Sequence, residues 1–263
     1  MHLVVCIKQI IDPEIPPYAF QIDPARKRQV RGGHSLVIST FDENALEVAI
    51  QVKEKTGGRV TALCIGDQEA VGALRTALAM GADEAFLISD PAYEEVDPLG
   101  KVRLLAAALQ RLGEFDGVLC GRQAGDIELG LVGPFLAEMM DLPCITLVAN
   151  LEPVNGRVRL RRVVEEGYEV VEAPCPFVAT VTNDESNVPR LPKVRAIRKA
   201  VRTPVPVWTA ADLGLEPSTP QPRLRLDDLF IPRWERRCEF IPGENDAAKG
   251  EQLAQWLRAQ KLI

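Results

Sequence analysis

Short uninterrupted apolar runs alternate with segments whose apolar residues recur every three to four positions, over roughly the first 150 residues of the chain. No other feature constrains the fold as much. An apolar run with no polar alternation suits a strand buried on both faces. Five such runs occur: Leu3-Val4-Val5-Cys6-Ile7, RVTALCIG (59–66), EAFLISD (84–90), Gly117-Val118-Leu119-Cys120 and CITLVANL (144–151). Helical patterns lie between them. Ala45, Val48, Ala49 and Val52 share one face of a helix expected over 44–56, with Asp42 or Asn44 as its cap and Gly57-Gly58 as its stop. Val71, Leu74, Ala77 and Leu78 mark a helix over 68–80 that stops at Gly81, and Val102, Leu105, Ala106 and Leu109 mark one over 98–112. A fourth helix runs through Met140. This order predicts an α/β fold, a Rossmann-like parallel sheet with helices on both faces.

The pattern changes after residue 151. VRLRRVV and YEVVEA alternate like a hairpin (157–173) turning at Glu165-Glu166-Gly167, and FVATVT (177–182) reads as one more buried strand. From 183 the chain is rich in Pro, Arg and Lys, which predicts an exposed arm or docking segment rather than core. A last helix is expected over about 245–260, with Leu253, Trp256 and Leu257 on its apolar side. The division expected is an α/β domain over 1–185, hairpin included, and an extended C-terminal arm over 186–263. There is no convincing internal repeat.

Composition excludes several classes. The net charge of −6 argues against nucleic acid as a partner. No apolar run is long enough to span a bilayer and no secretory apolar region stands at the start, so the chain is expected not to be membrane-embedded, and to be cytoplasmic. The six cysteines, Cys6, Cys64, Cys120, Cys144, Cys175 and Cys238, form no CxxC pair and mostly sit in apolar runs, which suits buried reduced thiols. With only His2 and His34 besides, no metal site is expected.

Ligands of such sheets bind beyond the carboxyl ends of the strands. The most informative loop there is GRQAGDIELGLVGP (121–134), which follows a strand and enters a helix. It has neither a P-loop ending nor GxGxxG. A helix N-terminus can nevertheless hold a phosphate on free N–H groups, and Gly121, Gly125 and Gly130 permit close backbone approach. Asp126 would cap the helix, organise loop amides or hold a ribose hydroxyl. A ligand-free glycine-rich helix entry is the plainer alternative. STFDENALE (39–47) enters the first helix at the same edge, and an ordinary capping role is its plainer alternative. Four segments therefore converge: Cys6, Ile7 and Lys8; Ser39, Thr40, Phe41 and Asp42; Ile65 and Gly66; and Gly121, Arg122, Gln123, Ala124, Gly125, Asp126, Leu129, Gly130, Leu131 and Val132. Their convergence points to an adenine nucleotide. Nothing resembles an activated nucleophile, so binding without chemistry on the nucleotide is expected and no catalytic residue is assigned. Separately, VPRLPKVRAIRKA (188–200) presents Leu191 between prolines, with Pro192 and Arg195 beside it, as an anchor for a partner's pocket. A solvated basic linker is the alternative there.

VVCIKQIIDP, LRTALAMGADEA and GRQAGD, in this order and spacing, resemble the beta subunit of electron transfer flavoprotein. The most specific piece is RVVEEGYEVVEAPCPFVAT (162–180), whose Arg162, Glu165, Glu166, Gly167, Glu169, Pro176 and Thr180 match the family signature, with Leu160 and Ala179 as mild departures. The resemblance implies a heterodimer with an alpha subunit that holds most of the electron-carrying FAD, embraced by the C-terminal arm. It implies docking through the Leu191 segment on a flavin dehydrogenase, and onward transfer to a quinone reductase or another acceptor. It implies AMP or a second FAD in this chain. Arg122-Gln123-Ala124 and Val132-Gly133-Pro134 resemble the bifurcating and nitrogen-fixation-associated branch, which favours FAD and, with it, NADH oxidation and electron bifurcation. Ser39-Thr40-Phe41 and Leu131 stand where that branch has an Asn-Pro-aromatic run and a Gln, which keeps AMP open. Other readings remain: a nucleotide-binding stress-type or ATP-splitting protein of similar fold, or a structural beta chain without nucleotide.

Overall fold

A computed structural model describes residues 1–93, 96–216, 222–232 and 238–263. Among the described residues the strands of the main sheet are β1 (His2–Ile7), β2 (Arg59–Ile65), β3 (Glu84–Ile88), β4 (Gly117–Gly121), β5 (Cys144–Val154), β6 (Arg157–Val164), β7 (Gly167–Pro174), β8 (Phe177–Val181) and β9 (Val207–Trp208). Their spatial order is β7-β6-β5-β8-β4-β1-β2-β3-β9. All neighbours from β5 to β9 are parallel, while β5, β6 and β7 form an antiparallel meander. The mixed α/β architecture is the one that the strand–helix alternation predicts.

The helices are α1 (Thr40–Thr56), α2 (Val71–Met80), α3 (Pro98–Leu112), α4 (Val132–Met139), α5 (Val194–Arg202) and α6 (Asp246–Ala259). Successive residues of β1 point to opposite faces. Leu3, Val5 and Ile7 join the core under α1 and α2, with Leu46, Ile50 and Leu74, whereas Val4 and Cys6 join the core under α3 and α4, with Leu104, Leu109 and Leu136. Local chemistry sets the helix ends. Asp97 caps α3 by accepting the Gly100 N–H at 2.9 Å, with Pro98 at the first helical position. Gly57 closes α1 in the left-handed region at φ 72°.

Two expectations are corrected. α1 starts at Thr40 rather than at 44, and Asp42 lies in its first turn with its carboxyl turned away from the helix end. The basic segment after 183 is also more ordered than its composition suggests. It forms α5, which packs on α2, and β9, which extends the sheet beside β3, with Ala200 and Ala210 buried. The first compact unit accordingly runs from Met1 to Asp227, beyond residue 185. The second, 228–263, carries α6, capped by Asn245 accepting the Ala248 N–H at 2.9 Å. Leu253 and Trp256 on α6 are exposed. Cys6, Cys64 and Cys120 are buried as expected, but Cys144 and Cys238 are exposed and Cys175 is intermediate.

Phe177 fills the space over the paired strand. It lies in register with Gly117 of β4, and a Cβ on Gly117 would come within 2.6 Å of its ring. Truncation by Phe177→Ala is expected to cost about 3–5 kcal/mol. Gly117→Ala, which would displace the ring, is expected to cost about 1–3 kcal/mol. Urea unfolding of the two variants checks both values and their order.

Candidate functional site

The chain lays down β1, β2 and β3 outward on one side, then returns through α3 to place β4 on the other side of β1. In an open parallel sheet such a reversal marks the usual ligand position, the crevice beyond the carboxyl ends of the strands, here β1 and β4.

Asp42 builds the floor of that crevice. Its side chain accepts the Lys8 N–H at 2.8 Å and the Gly121 N–H at 2.9 Å, so one carboxyl ties α1 to the ends of both strands. The residue is only 7% exposed. Burial pushes its pKa up to about 7, against the pull of the two amides and of the Lys8 charge. The contact leaves no room beside it. A Cβ on Gly121 would sit 2.4 Å from Asp42 Oδ1 and 2.8 Å from the Phe41 carbonyl carbon, so only glycine fits.

Ser39 makes the second tie. It is fully buried, donates its N–H to the Lys8 carbonyl at 2.9 Å, and accepts the Gly125 N–H on its hydroxyl at 3.1 Å. Its hydroxyl serves the glycine loop instead of capping α1. Lys8 Nζ donates to both oxygens of Asp126 at 2.7 and 2.6 Å, which pins the loop over the end of β1. Asp126 therefore organises the loop through Lys8, and it does not cap α4, which starts at Val132 without a side-chain cap. The Arg122 guanidinium lies 4.3 Å from the centre of the Phe41 ring, a cation–π contact, and its buried Nε has no hydrogen-bond partner. Gly130 adopts φ 65°, and a Cβ there would approach the Arg122 carbonyl at 3.2 Å. Gly133 lets α4 press on β8, since a Cβ would meet Thr180 Cγ2 at 2.4 Å.

Other expected site residues contribute differently. Cys6 and Ile7 are core side chains, so only their main chain borders the crevice. The Gly66 N–H is already bonded to the Ile88 carbonyl at 3.1 Å, and Ile65 ends β2 one strand away from the crevice. Thr40 is exposed at the start of α1, Gln123 and Ala124 are half-buried, and Leu129 is exposed. Leu131 immediately precedes α4, and Val132 packs into the core beneath it. Among the described residues there is no group of His, Cys, Asp or Glu suited to a metal, and no helix is long and apolar enough to cross a membrane.

The 187–191 segment is clamped to α1. Asn187 is fully buried, donates to the Ala149 and Thr182 carbonyls at 2.7 and 2.9 Å, and accepts from Asn44 at 3.0 Å. Arg190 donates to both oxygens of Glu47, at 2.8 and 2.9 Å, and to Glu54. Next to this clamp Leu191 is 94% exposed, with Pro192 half-buried and Arg195 exposed on α5. Sequence reading singled out Leu191 but neither Arg190 nor Asn187. Their partners on α1 are 143 positions away and leave no local pattern.

The Asp42 carboxyl carries a pH signature. Unfolded, it titrates near 3.8, and folded at about 7. The native state keeps the proton in between, so this contribution to stability is full below 3.8 and is lost as pH rises through 7. Glu43, also raised by burial, adds in the same direction. Urea unfolding at successive pH values should therefore show a loss on the order of 2–4 kcal/mol between about pH 4.5 and 8. Asp42→Asn should flatten that profile and cost about 1–3 kcal/mol at the acid end, because its amide cannot accept the second N–H, with the difference from wild type narrowing as pH rises. An unchanged slope in the variant would count against the assignment.

Comparison with known proteins agrees with this architecture. The profile of the electron transfer flavoprotein domain matches residues 30–213. The electron transfer flavoprotein subunit beta of Thermoanaerobacterium thermosaccharolyticum is 39% identical over 217 residues, covering 82% of this chain and 81% of the relative. That of Bacillus subtilis is 36% identical over 265 aligned positions, with both chains covered completely. The caffeyl-CoA reductase-Etf complex subunit CarD of Acetobacterium woodii is 35% identical, covering 82% of this chain and 81% of the relative. A domain match over most of the chain, together with end-to-end similarity to a beta subunit, places this chain in the electron transfer flavoprotein family.

Proposed function

We propose that this chain is the beta subunit of a heterodimeric electron transfer flavoprotein and that its crevice holds an adenine nucleotide. The observation that carries the proposal is the glycine cradle at the reversal of strand order. Gly121 and Gly125 let the loop main chain close onto Asp42, Phe41, Ile10 and Ser39, where a Cβ would crowd them, and the Arg122 Nε in the same loop is buried without a partner. The groups present fit the expected ligand. Arg122 and the start of α4 are suited to phosphate, with the Phe41 ring beside the Arg122 guanidinium. Asp42 and Ser39 hold these groups in place and leave the cradle rigid before any ligand arrives.

FAD is the favoured nucleotide, on the resemblance of Arg122-Gln123-Ala124 and Val132-Gly133-Pro134 to the bifurcating branch, and AMP is the alternative. FAD would supply one- and two-electron redox chemistry, and this chain's residues would bind and orient it. A flavin-bearing alpha subunit completes the complex. The exposed Leu191, held beside the Arg190 clamp, docks on a flavin dehydrogenase, and electrons continue to a quinone reductase or another acceptor. No side chain described here acts as a nucleophile or general base. The chain works as an electron-carrying subunit, with NADH oxidation confined to the FAD-bound case.

Two measurements test this reading. The complex co-expressed with its alpha chain is denatured, and FAD and AMP are quantified per heterodimer by chromatography. Two FAD, or one FAD with one AMP, is the expected result, the first favouring bifurcation and the second a single-flavin shuttle. One FAD and no second nucleotide would overturn the proposed role of the cradle. Leu191→Ala should lower electron transfer from the partner dehydrogenase about tenfold without changing nucleotide content.

A further inference from the structure

The carboxyl of Asp97 does more than cap α3. Its Oδ1 accepts the Gly100 N–H of the helix, and its Oδ2 accepts two amides from far along the chain, the Arg223 N–H at 2.7 Å and the Leu224 N–H at 3.1 Å. Two successive amides reach one oxygen because the chain bends at Arg223, a concavity that suits an anion. Burial raises the Asp97 pKa, but the three amide bonds outweigh it and hold the carboxyl below its ordinary value, so these contacts are charge-assisted at neutral pH. Two residues on, the Leu226 carbonyl accepts from Lys27 Nζ at 2.8 Å. Lys27 lies between the strands Ile22–Asp23 and Arg28–Gln29 of a short hairpin in the loop after β1, and Asp97 lies in the connection after β3. The segment 223–226 is therefore tied by its main chain to two separate loops at the carboxyl edge of the sheet.

The side chains of this segment are not spent on the fold. Leu224 is 52% and Leu226 55% exposed, although three hydrogen bonds fix the main chain that carries them. Ordering a segment costs conformational freedom. A strap that served only to close the domain would turn its leucines inward, whereas this one holds them towards water. Phe230 and Ile231, a few positions on, are exposed as well. Single exposed apolar residues are ordinary, but four large ones within 224–231 mark a surface that another chain covers. Chain continuity identifies that cover. The apolar run crosses residue 228, where the second compact unit begins, and the arm expected to embrace the alpha subunit starts here.

We propose that residues 223–226 are a docking ribbon for the alpha subunit, held by Asp97 and Lys27 so that Leu224 and Leu226 enter an apolar groove of that subunit. This rests on the heterodimer reading above. The two leucines touch the partner. Asp97 is a positioning residue, which acts through the main chain of the ribbon and lowers the cost of ordering it on docking.

The test uses the full-length chain with its alpha subunit. Dissociation of the heterodimer is measured on dilution, and the ribbon is followed by amide hydrogen exchange. Leu224→Ser combined with Leu226→Ser leaves the main-chain ties intact and should weaken the heterodimer about 10- to 100-fold. Asp97→Ser keeps a cap for α3 but has no second oxygen for the ribbon. It should speed exchange over 222–227, leave that of α3 unchanged, and weaken the heterodimer about tenfold. Wild-type affinity in the double leucine variant would overturn the ribbon while leaving the heterodimer standing. Faster exchange over 222–227 in Asp97→Ser with wild-type affinity would overturn the positioning role of Asp97. Both leucines are exposed, so their variant decides the question even where Asp97→Ser loosens α3. Wild type that forms no heterodimer would remove the subunit reading and this proposal with it.

Discussion

The carboxyl of Asp42 is the contact on which the rest of the site depends. Two parallel strands end with free main-chain N–H groups, and a buried donor without a partner is costly. One side chain from the first turn of α1 satisfies the Lys8 and Gly121 amides together. The consequences follow in order. α1 is fixed at the crevice, Gly121 can have no side chain, and the loop must leave β4 in one direction. Ser39 and the Lys8–Asp126 pair then fold the loop back over the strand ends. The burial that makes Asp42 a good structural tie is also what raises its pKa, so rigidity of the crevice and sensitivity to pH have one origin.

The same helix organises the 187–191 segment. Asn44, Glu47 and Glu54 face 187–190 from one side of α1. The contacts are unequal in value. Glu47 is 5% exposed at its side chain and is bound by both a guanidinium edge and a backbone amide, whereas the Glu54 contact is open to water and is worth less. Burial would raise the Glu47 pKa, but Arg190 and Gln51 hold it below the usual carboxylate value, so the pair stays charged at neutral pH. Leu191 thus projects from a fixed base although it is almost wholly exposed.

How far the sequence could be read depended on whether the deciding contacts were local. α3 was legible to the residue, because its Asp97 cap, Pro98 and Gly113 lie within or beside the helix. β1, β4 and β8 were legible as apolar runs. The start of α1 was not, since Ser39 and Asp42 bind residues far along the chain instead of their own helix. The approach of the segments around Lys8, Ser39 to Asp42 and Gly121 to Asp126 was legible, but not which side chains would be spent on holding them together. Asp126 is an example, paired with Lys8 rather than with the helix end. The segment after 183 misled through composition. Most of its charges face outward, while the contacts that order it are made by Asn187, Arg190, Ala200, Ala210 and a two-residue strand.

α1 spans 17 residues, about 25 Å at 1.5 Å per residue. Its first turn carries Asp42 and its middle holds the base of the Leu191 segment. A partner seated on Leu191 would therefore be referenced to the cradle by one stiff rod and not by a chain of loops. Electron tunnelling weakens steeply with separation, so such a rod acts as a ruler. In the proposed complex it would set how far a partner docked on Leu191 sits from the cradle before either is occupied.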